Sequence, residues 1–317
     1  MLSLNLNGED AYVGALKNRM QHFQRKMLHG EKMKFNKIVI FGVGLIGGSF
    51  ALGLRRANAV AEIVGFGRST LEQAIQLGII DRIGTDVSLE IHNADLVFLA
   101  TPVGQMAELM ARISPYLGKN TLVMDGGSTK GDVVLAAYAN LGDKVAQFIP
   151  AHPIAGAERS GPAAARADLY TGKKVVLTPL PENSPAAVLR VRRAWELCGA
   201  VVSELTAQKH DEVFAAVSHL PHLLSFALVH DLSLRDNREQ LLSFAASGFR
   251  DFTRIAASNP EMWRDICMAN RDALLAELGS YMQELEIIHA ALNTMDAAKL
   301  EEIFSQAREV RGNWAQQ

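Results

Sequence analysis

A chain of 317 residues is long for one hydrophobic core, so two domains are the natural expectation. Hydrophobic residues make up 49 % and charged residues 21 %, an ordinary globular balance that excludes the disordered class. The formal net charge is only −2, with both signs interspersed, which points to neither a nucleic-acid nor an anionic-membrane partner.

No uninterrupted apolar run reaches the roughly 18 residues of a membrane span. Cys198 and Cys267 are far apart and lack ligand spacing, so they read as free thiols of a cytoplasmic protein.

Residues 1–35 form an N-terminal extension, rich in Lys, Arg and Met, without the apolar stretch and small-residue cleavage site of a signal peptide. Ala11 to Met27 could be an amphipathic helix, though a frayed extension is the simpler reading. From 36 to 205 strand and helix patterns alternate. Strands are expected at Lys37–Phe41, Glu62–Gly65, Leu96–Ala100, Thr121–Asp125, Gln147–Pro150, Val175–Thr178 and Val201–Leu205. That alternation predicts an α/β Rossmann-type, doubly wound sheet. From 206 to 317 the strand signal stops, and Gln208–Arg235, Arg238–Ser247, Pro260–Asn293 and Ala297–Val310 read as an all-α domain. Asn259-Pro260 has the form of a helix N-cap followed by proline at the first helical position. Pro260–Asn293 carries more apolar positions than one small domain can bury, which predicts dimerisation through the helices.

The first strand runs into Gly42-Val43-Gly44-Leu45-Ile46-Gly47 and then an apolar helix. Strand, GxGxxG and helix in that order is a dinucleotide-binding turn. Gly42 permits the turn, Gly44 admits a pyrophosphate close to the backbone, and Gly47 lets the helix pack on the strand. An NAD-selective site has an acidic residue about 20 positions further on, to hold the ribose hydroxyls. Here Gly67 and Arg68 stand at that point, followed by Ser69, so NADP is favoured and NAD remains possible. Ser69 also opens Ser69-Thr70-Leu71-Glu72, which has the form of a capping box. Thr101, Pro102 and Val103 follow another strand at the carboxyl edge, where such cofactors lie, and join the cofactor-binding set.

Two more strand ends carry polar groups, Asp125-Gly126-Gly127-Ser128-Thr129-Lys130-Gly131 and Ala151-His152-Pro153-Ile154-Ala155-Gly156. A histidine at that edge, close to a nicotinamide, is placed to accept a proton. His219 and His222 are three apart on a helix, but no third ligand has supporting spacing, so no metal is expected. His210, His230 and His289 read as ordinary helix residues.

With GVGLIGGS, ATPV, DGGSTKG, AHPIAGAERSG, VSHLPH and GFRDFTRIA…NPEMWRDI in this order, residues 36–317 resemble the prephenate/arogenate (cyclohexadienyl) dehydrogenases of tyrosine biosynthesis. The resemblance implies oxidative decarboxylation of a cyclohexadienyl substrate by a homodimer, with each active site between the domains. It implies that His152 accepts the ring-hydroxyl proton and that Ser128 hydrogen-bonds beside it. It also implies that Arg254 binds a substrate carboxylate, that His222 lines the pocket with His219 adjacent, that Glu158 gates it, and that Asp251 and Trp263 belong to it. Gly67-Arg68 departs from the NAD-using members. Arg250, one turn from Arg254, is the alternative carboxylate ligand. A β-hydroxyacid dehydrogenase or imino-acid reductase would share the architecture without AHPIAGAERSG or SHLPH. A non-catalytic NADP sensor would have no use for a proton acceptor.

Overall fold

The computed structural model describes residues 33–67, 71–156 and 159–314. Residues 1–32 of the N-terminal extension, Arg68, Ser69, Thr70 and Glu158 therefore lie outside the described residues, and with them the start of the expected capping box.

Six parallel strands form the first sheet: β1 (Phe35–Phe41), β2 (Val60–Phe66), β3 (Arg82–Ile83), β4 (Leu96–Leu99), β5 (Leu122–Asp125) and β6 (Phe148–Ile149). Their order, β3-β2-β1-β4-β5-β6, reverses direction between β1 and β4. In a doubly wound sheet, ligands bind in the crevice beyond the carboxyl ends at that reversal. The strands alternate faces, and both faces are buried. Ile38 and Ile40 pack with Phe50, Phe98 and Trp195 on one side, while Val39 and Phe41 pack with Val97, Leu99 and Met106 on the other. That two-sided burial is why β1 reads as a continuous apolar run.

Helix α1 (Leu45–Arg56) leaves β1 through the glycine turn, and its core-facing Phe50 and Leu54 are fully buried. Helices α2 (Leu71–Gln76), α3 (Val87–His92), α4 (Met106–Ile113), α5 (Gly131–Leu141) and α6 (Pro185–Leu197) complete the layers. Ser184 caps α6 by accepting from the Ala187 amide at 3.2 Å, with Pro185 at the first position.

The sequence places Val175–Thr178 and Val201–Leu205 in the main sheet. The structure instead puts β8 (Lys174–Leu177) and β9 (Val201–Glu204) in a second, three-stranded sheet with β7 (Ala151–Pro153). β7 runs antiparallel to β8, pairing His152 with Val176. At three residues β7 is too short to show a period, so the sequence hides the strand that diverts β8 and β9 from the parallel sheet.

The C-terminal half is helical: α7 (Ala207–Phe214), a π-helical turn at Ala215–His219, α8 (Leu220–Ser233), α9 (Arg238–Ser243), α10 (Ser247–Thr253), α11 (Pro260–Ala269), α12 (Arg271–Asn293) and α13 (Ala297–Trp314). Thr206 caps α7, accepting from the Lys209 amide at 3.1 Å. Ala207–Ser233 has the length and mean hydropathy, 1.4, of a membrane-spanning helix. In this fold its first turn carries the buried His210 and Asp211 into the contact with the nucleotide-binding layers.

The expected single helix Pro260–Asn293 is two helices. The chain breaks at Asn270 (φ −108°, ψ 32°), whose side-chain amide donates to the Asp211 carbonyl at 2.8 Å and contacts His219 Nδ1 at 3.0 Å. Asn259 caps α11 as the sequence indicates, accepting from the Met262 amide at 2.9 Å. On α12 and α13 large apolar side chains face outward, among them Leu275, Met282, Leu285, Phe304 and Trp314.

Candidate active site at the reversal of the sheet

The glycine turn has the shape of a phosphate cradle. Gly42 sits at φ +92°, and a Cβ there would lie 2.4 Å from the Ala100 carbonyl oxygen, so β1 and β4 approach closely at the reversal point. A Cβ on Gly47 would lie 2.2 Å from the Gly42 carbonyl oxygen, so this glycine lets α1 settle against β1. Gly44 differs: among the described residues, no atom beyond its own stretch of chain lies within 4 Å of its Cβ position. The open space stands at the N-terminus of the 12-residue α1, where unpaired amides and the helix dipole favour an anion. Thr101 adds a buried hydroxyl with no hydrogen-bond partner among the described residues, on the loop after β4. These residues fit a dinucleotide whose pyrophosphate lies on Gly44.

Contacts lead from this cradle to the catalytic candidates. A Cβ on Gly126 would touch Ile46 Cγ2 at 3.2 Å, and one on Gly127 would reach Val103 Cγ1 at 2.7 Å. The DGGS loop is thus wedged between the glycine motif and the loop after β4, and glycine is required for that approach. Asp125, fully buried at the end of β5, organises the loop. It accepts from the Gly127 amide at 2.8 Å and from the Ala151 amide at 3.0 Å, and it pairs with the equally buried Lys130 ammonium. Half-buried Ser128 lies on this loop, and the Ala151–Asp125 bond fixes the start of β7, which carries His152, against the end of β5.

His152 is half-buried, and its Nδ1 lies 2.8 Å from Nε2 of His210, which is wholly buried. The Phe214 ring covers both imidazoles, with centroids at 4.8 and 4.5 Å. His210 Nδ1 in turn lies 2.7 Å from Asp211 Oδ1. Asp211 also accepts from the Lys130 and Gly131 amides at 2.8 and 2.7 Å, closing the N-terminus of α5 from across the domain junction. The sequence offers His210 no role. The structure corrects this: its partner is 58 residues upstream, a distance no local pattern spans. A His-Asp pair in the first turn after an N-cap at the junction is the one sequence signal that could have marked it.

Burial holds the His152 pKa well below the ordinary histidine value, helped by the neighbouring His210, Lys130 and His219. Burial also lowers His210, against the opposing pull of Asp211. Both imidazoles are therefore neutral near neutral pH.

The helical half supplies the facing wall. His219, 1 % exposed, is pushed down to about 4 chiefly by burial. Its Nδ1 accepts from Asn270, and its Nε2 is turned toward the Ser128 carbonyl, whose pull acts against that lowering, though beyond hydrogen-bond geometry. His222 lies at the open edge, stacked on Trp263 at 3.7 Å, with Nδ1 donating to the Ser218 carbonyl at 2.9 Å and Nε2 left as an acceptor. Its pKa is lowered by burial and, against the Ser218 carbonyl, by the Arg254 guanidinium, which places Arg254 within electrostatic reach of the pocket. Arg254 opens the turn Arg254–Ala257 directly after α10. Trp263 Nε1 is buried with no hydrogen-bond partner among the described residues. Asp251 and Arg250 are exposed on α10. The π turn matters here. One extra residue rotates the rest of the helix by about 100°, which lets His219 and His210 face the same junction. Among the described residues no cluster of His, Cys, Asp and Glu has a metal-binding arrangement.

A family model described as prephenate dehydrogenase, nucleotide-binding domain, matches residues 50–204, and one described as prephenate dehydrogenase, dimerization domain, matches residues 206–306. The cyclohexadienyl dehydrogenase of Zymomonas mobilis is 32 % identical over 281 residues, covering 87 % of this chain and 95 % of its own. The crystal structure of prephenate dehydrogenase from Aquifex aeolicus, in complex with hydroxyphenyl propionate and NAD+, superposes with a TM-score of 0.83 at 35 % identity, covering 89 % of this chain and 99 % of that one. Synechocystis arogenate dehydrogenase superposes with a TM-score of 0.75 at 29 % identity, covering 88 % and 99 %.

The glycine geometry separates a binding role from a folding one. Gly44→Ala should leave the melting temperature near wild type but weaken NAD(P) at least about tenfold, or ~1.4 kcal/mol. Gly47→Ala should instead destabilise the fold by about 1–3 kcal/mol through overpacking. Thermal melts with cofactor titration check both, and unchanged cofactor affinity in Gly44→Ala would place the pyrophosphate elsewhere.

Proposed function

The chain belongs to the prephenate dehydrogenase family, and from its site we propose that it oxidatively decarboxylates prephenate or arogenate in tyrosine biosynthesis, with His152 as the proton acceptor. The observation that carries this reading is a neutral, partly shielded imidazole just beyond the carboxyl end of β6, in the same parallel sheet whose β1 opens into the phosphate cradle.

When bound on the Gly44 turn, a nicotinamide cofactor supplies the hydride acceptor. The residues of the chain do the rest. His152 Nδ1 is engaged by His210, so Nε2 is the nitrogen left for the substrate. It takes the proton of the C4 hydroxyl as the hydride departs from the same carbon. The ring ketone is then conjugated to the carbon bearing the carboxylate, carbon dioxide leaves, and the ring becomes aromatic. Aromatisation drives the step, so the protein's work is orientation and water exclusion. Ser128 holds the hydroxyl beside His152. Arg254 pairs with the side-chain carboxylate, and His222 Nε2 can accept from the ammonium of arogenate or Trp263 Nε1–H can donate to the keto oxygen of prephenate. Asp251 belongs to the pocket, while Glu158, outside the described residues, is assigned the gate from its place in AHPIAGAERSG alone. His219 is adjacent in role to His222. A reductase of the β-hydroxyacid dehydrogenase kind would leave this paired wall unused.

The protein acts in the cytoplasm as a homodimer, the second copy covering the apolar faces of α12 and α13. Support comes from the exposed Leu275, Met282, Leu285 and Phe304, and from the description of the C-terminal family model as a dimerization domain. NADP is the preferred cofactor. β2 ends at Phe66 beside Phe41, and Gly67 offers no carboxylate to repel a 2′-phosphate, with Arg68 next in the chain.

His152→Asn should lower turnover by about 10²–10⁴-fold with cofactor affinity unchanged. Because its pKa is depressed, His152 stays neutral as pH falls through the ordinary histidine range, and log kcat/KM should decline only below about pH 6.5. A variant with near-normal turnover, or an acid limb centred above 6.5, would remove His152 as the base.

Arg68→Ala should weaken NADP by about 1–3 kcal/mol and leave NAD almost untouched, as read from kcat/KM with each cofactor. A wild-type preference for NAD would overturn the cofactor assignment while sparing the reaction.

A further inference from the structure

We infer that His210, anchored by Asp211, is a positioning residue that holds His152 in the one neutral tautomer able to accept the substrate's proton. The inference rests on the reading of His152 as the base.

The chain of contacts begins at Asp211. Its carboxylate can only accept hydrogen bonds, and it is fixed in place by the Lys130 and Gly131 amides of α5. His210 Nδ1, 2.7 Å from Oδ1, must therefore carry a proton. A neutral imidazole has one proton, so His210 Nε2 presents a lone pair. That lone pair lies 2.8 Å from His152 Nδ1, and the contact is a hydrogen bond only if Nδ1 is the donor. The proton of neutral His152 is thereby placed on Nδ1, and Nε2 is left with the lone pair the reaction needs. In the other tautomer, two lone pairs would oppose each other at that distance in a buried site. A second proton on His210 would relieve the clash, but burial disfavours it, as does the Lys130 ammonium, against Asp211 and the more distant Asp125. Around His152 the charged and titratable neighbours are His210, Lys130 and His219, and each disfavours a second proton. Phe214 packs tilted against both rings, and His210 is wholly buried, so water is poorly placed to substitute for it as the acceptor.

The roles of His210 can be separated in the full-length enzyme. His210→Phe keeps an aromatic ring and loses the acceptor. His210→Gln offers an amide oxygen that can accept from Nδ1–H. Turnover should fall at least roughly 100-fold in His210→Phe, with substrate KM and cofactor affinity little changed, and His210→Gln should recover at least about tenfold of that loss. Wild-type turnover in His210→Phe, or equal losses in both variants accompanied by raised KM and lowered melting temperature, would overturn the inference. Imidazole ¹⁵N shifts of the histidine-labelled wild type decide it even where a variant fails to fold. Protonated Nδ1 and unprotonated Nε2 on His152 are expected, and the reverse would refute it. If the wild type oxidises neither prephenate nor arogenate, the functional reading fails, while the tautomer remains decided by those shifts.

Discussion

Asp211 is the contact on which the site depends. One carboxylate, 8 % exposed, accepts from the first two amides of the α5 region and from His210, and its own carbonyl accepts from Asn270. Burial alone would raise its pKa. The bonds from His210, Gly131 and Lys130 outweigh that, and the group sits below the ordinary carboxylate range. A buried anion is tolerable only when its lone pairs are filled, and here the donors come from both domains. The same residue therefore joins the nucleotide-binding sheet to the helices and sets the frame in which His152 is held.

Charge is distributed around that frame with a division of labour. The buried Asp125–Lys130 pair ties the DGGS loop to β7, and burial, helped by the Lys130 ammonium, keeps the nearby imidazoles neutral. On the opposite wall, burial does the same for His219 and His222. Four neutral histidines and a tryptophan donor, with Arg254 at the rim, suit a substrate that carries its charge at one end and reacts at an uncharged hydroxyl. The phosphate cradle of Gly42, Gly44 and Gly47 meets the DGGS loop through Ile46 against Gly126, with Val103 against Gly127.

Much of this was legible before any coordinates. The glycine turn, the first six parallel strands apart from the two-residue β3, and the change from α/β to all-α after β9 follow from local periodicity and turn chemistry. His152 could be singled out because it follows a strand end at the ligand edge. What was hidden depends on long-range or irregular structure. The three-residue β7 carries no period, so the second sheet looked like more of the first. The π turn leaves no composition signal, since Ala215–His219 is ordinary helical sequence. The break at Asn270 exists because that side chain bonds Asp211 and His219, partners 59 and 51 residues away. His210 was passed over for the same reason.

The central claim is that this site couples hydride loss at the ring carbon to decarboxylation, with His152 as the base. A single turnover with prephenate or arogenate, following the absorbance of reduced nicotinamide and the release of carbon dioxide together, tests it most directly. The account predicts one carbon dioxide per reduced cofactor, formed at the same rate, with both signals suppressed together in His152→Asn. Reduced cofactor without carbon dioxide, or carbon dioxide without reduction of the cofactor, would contradict it.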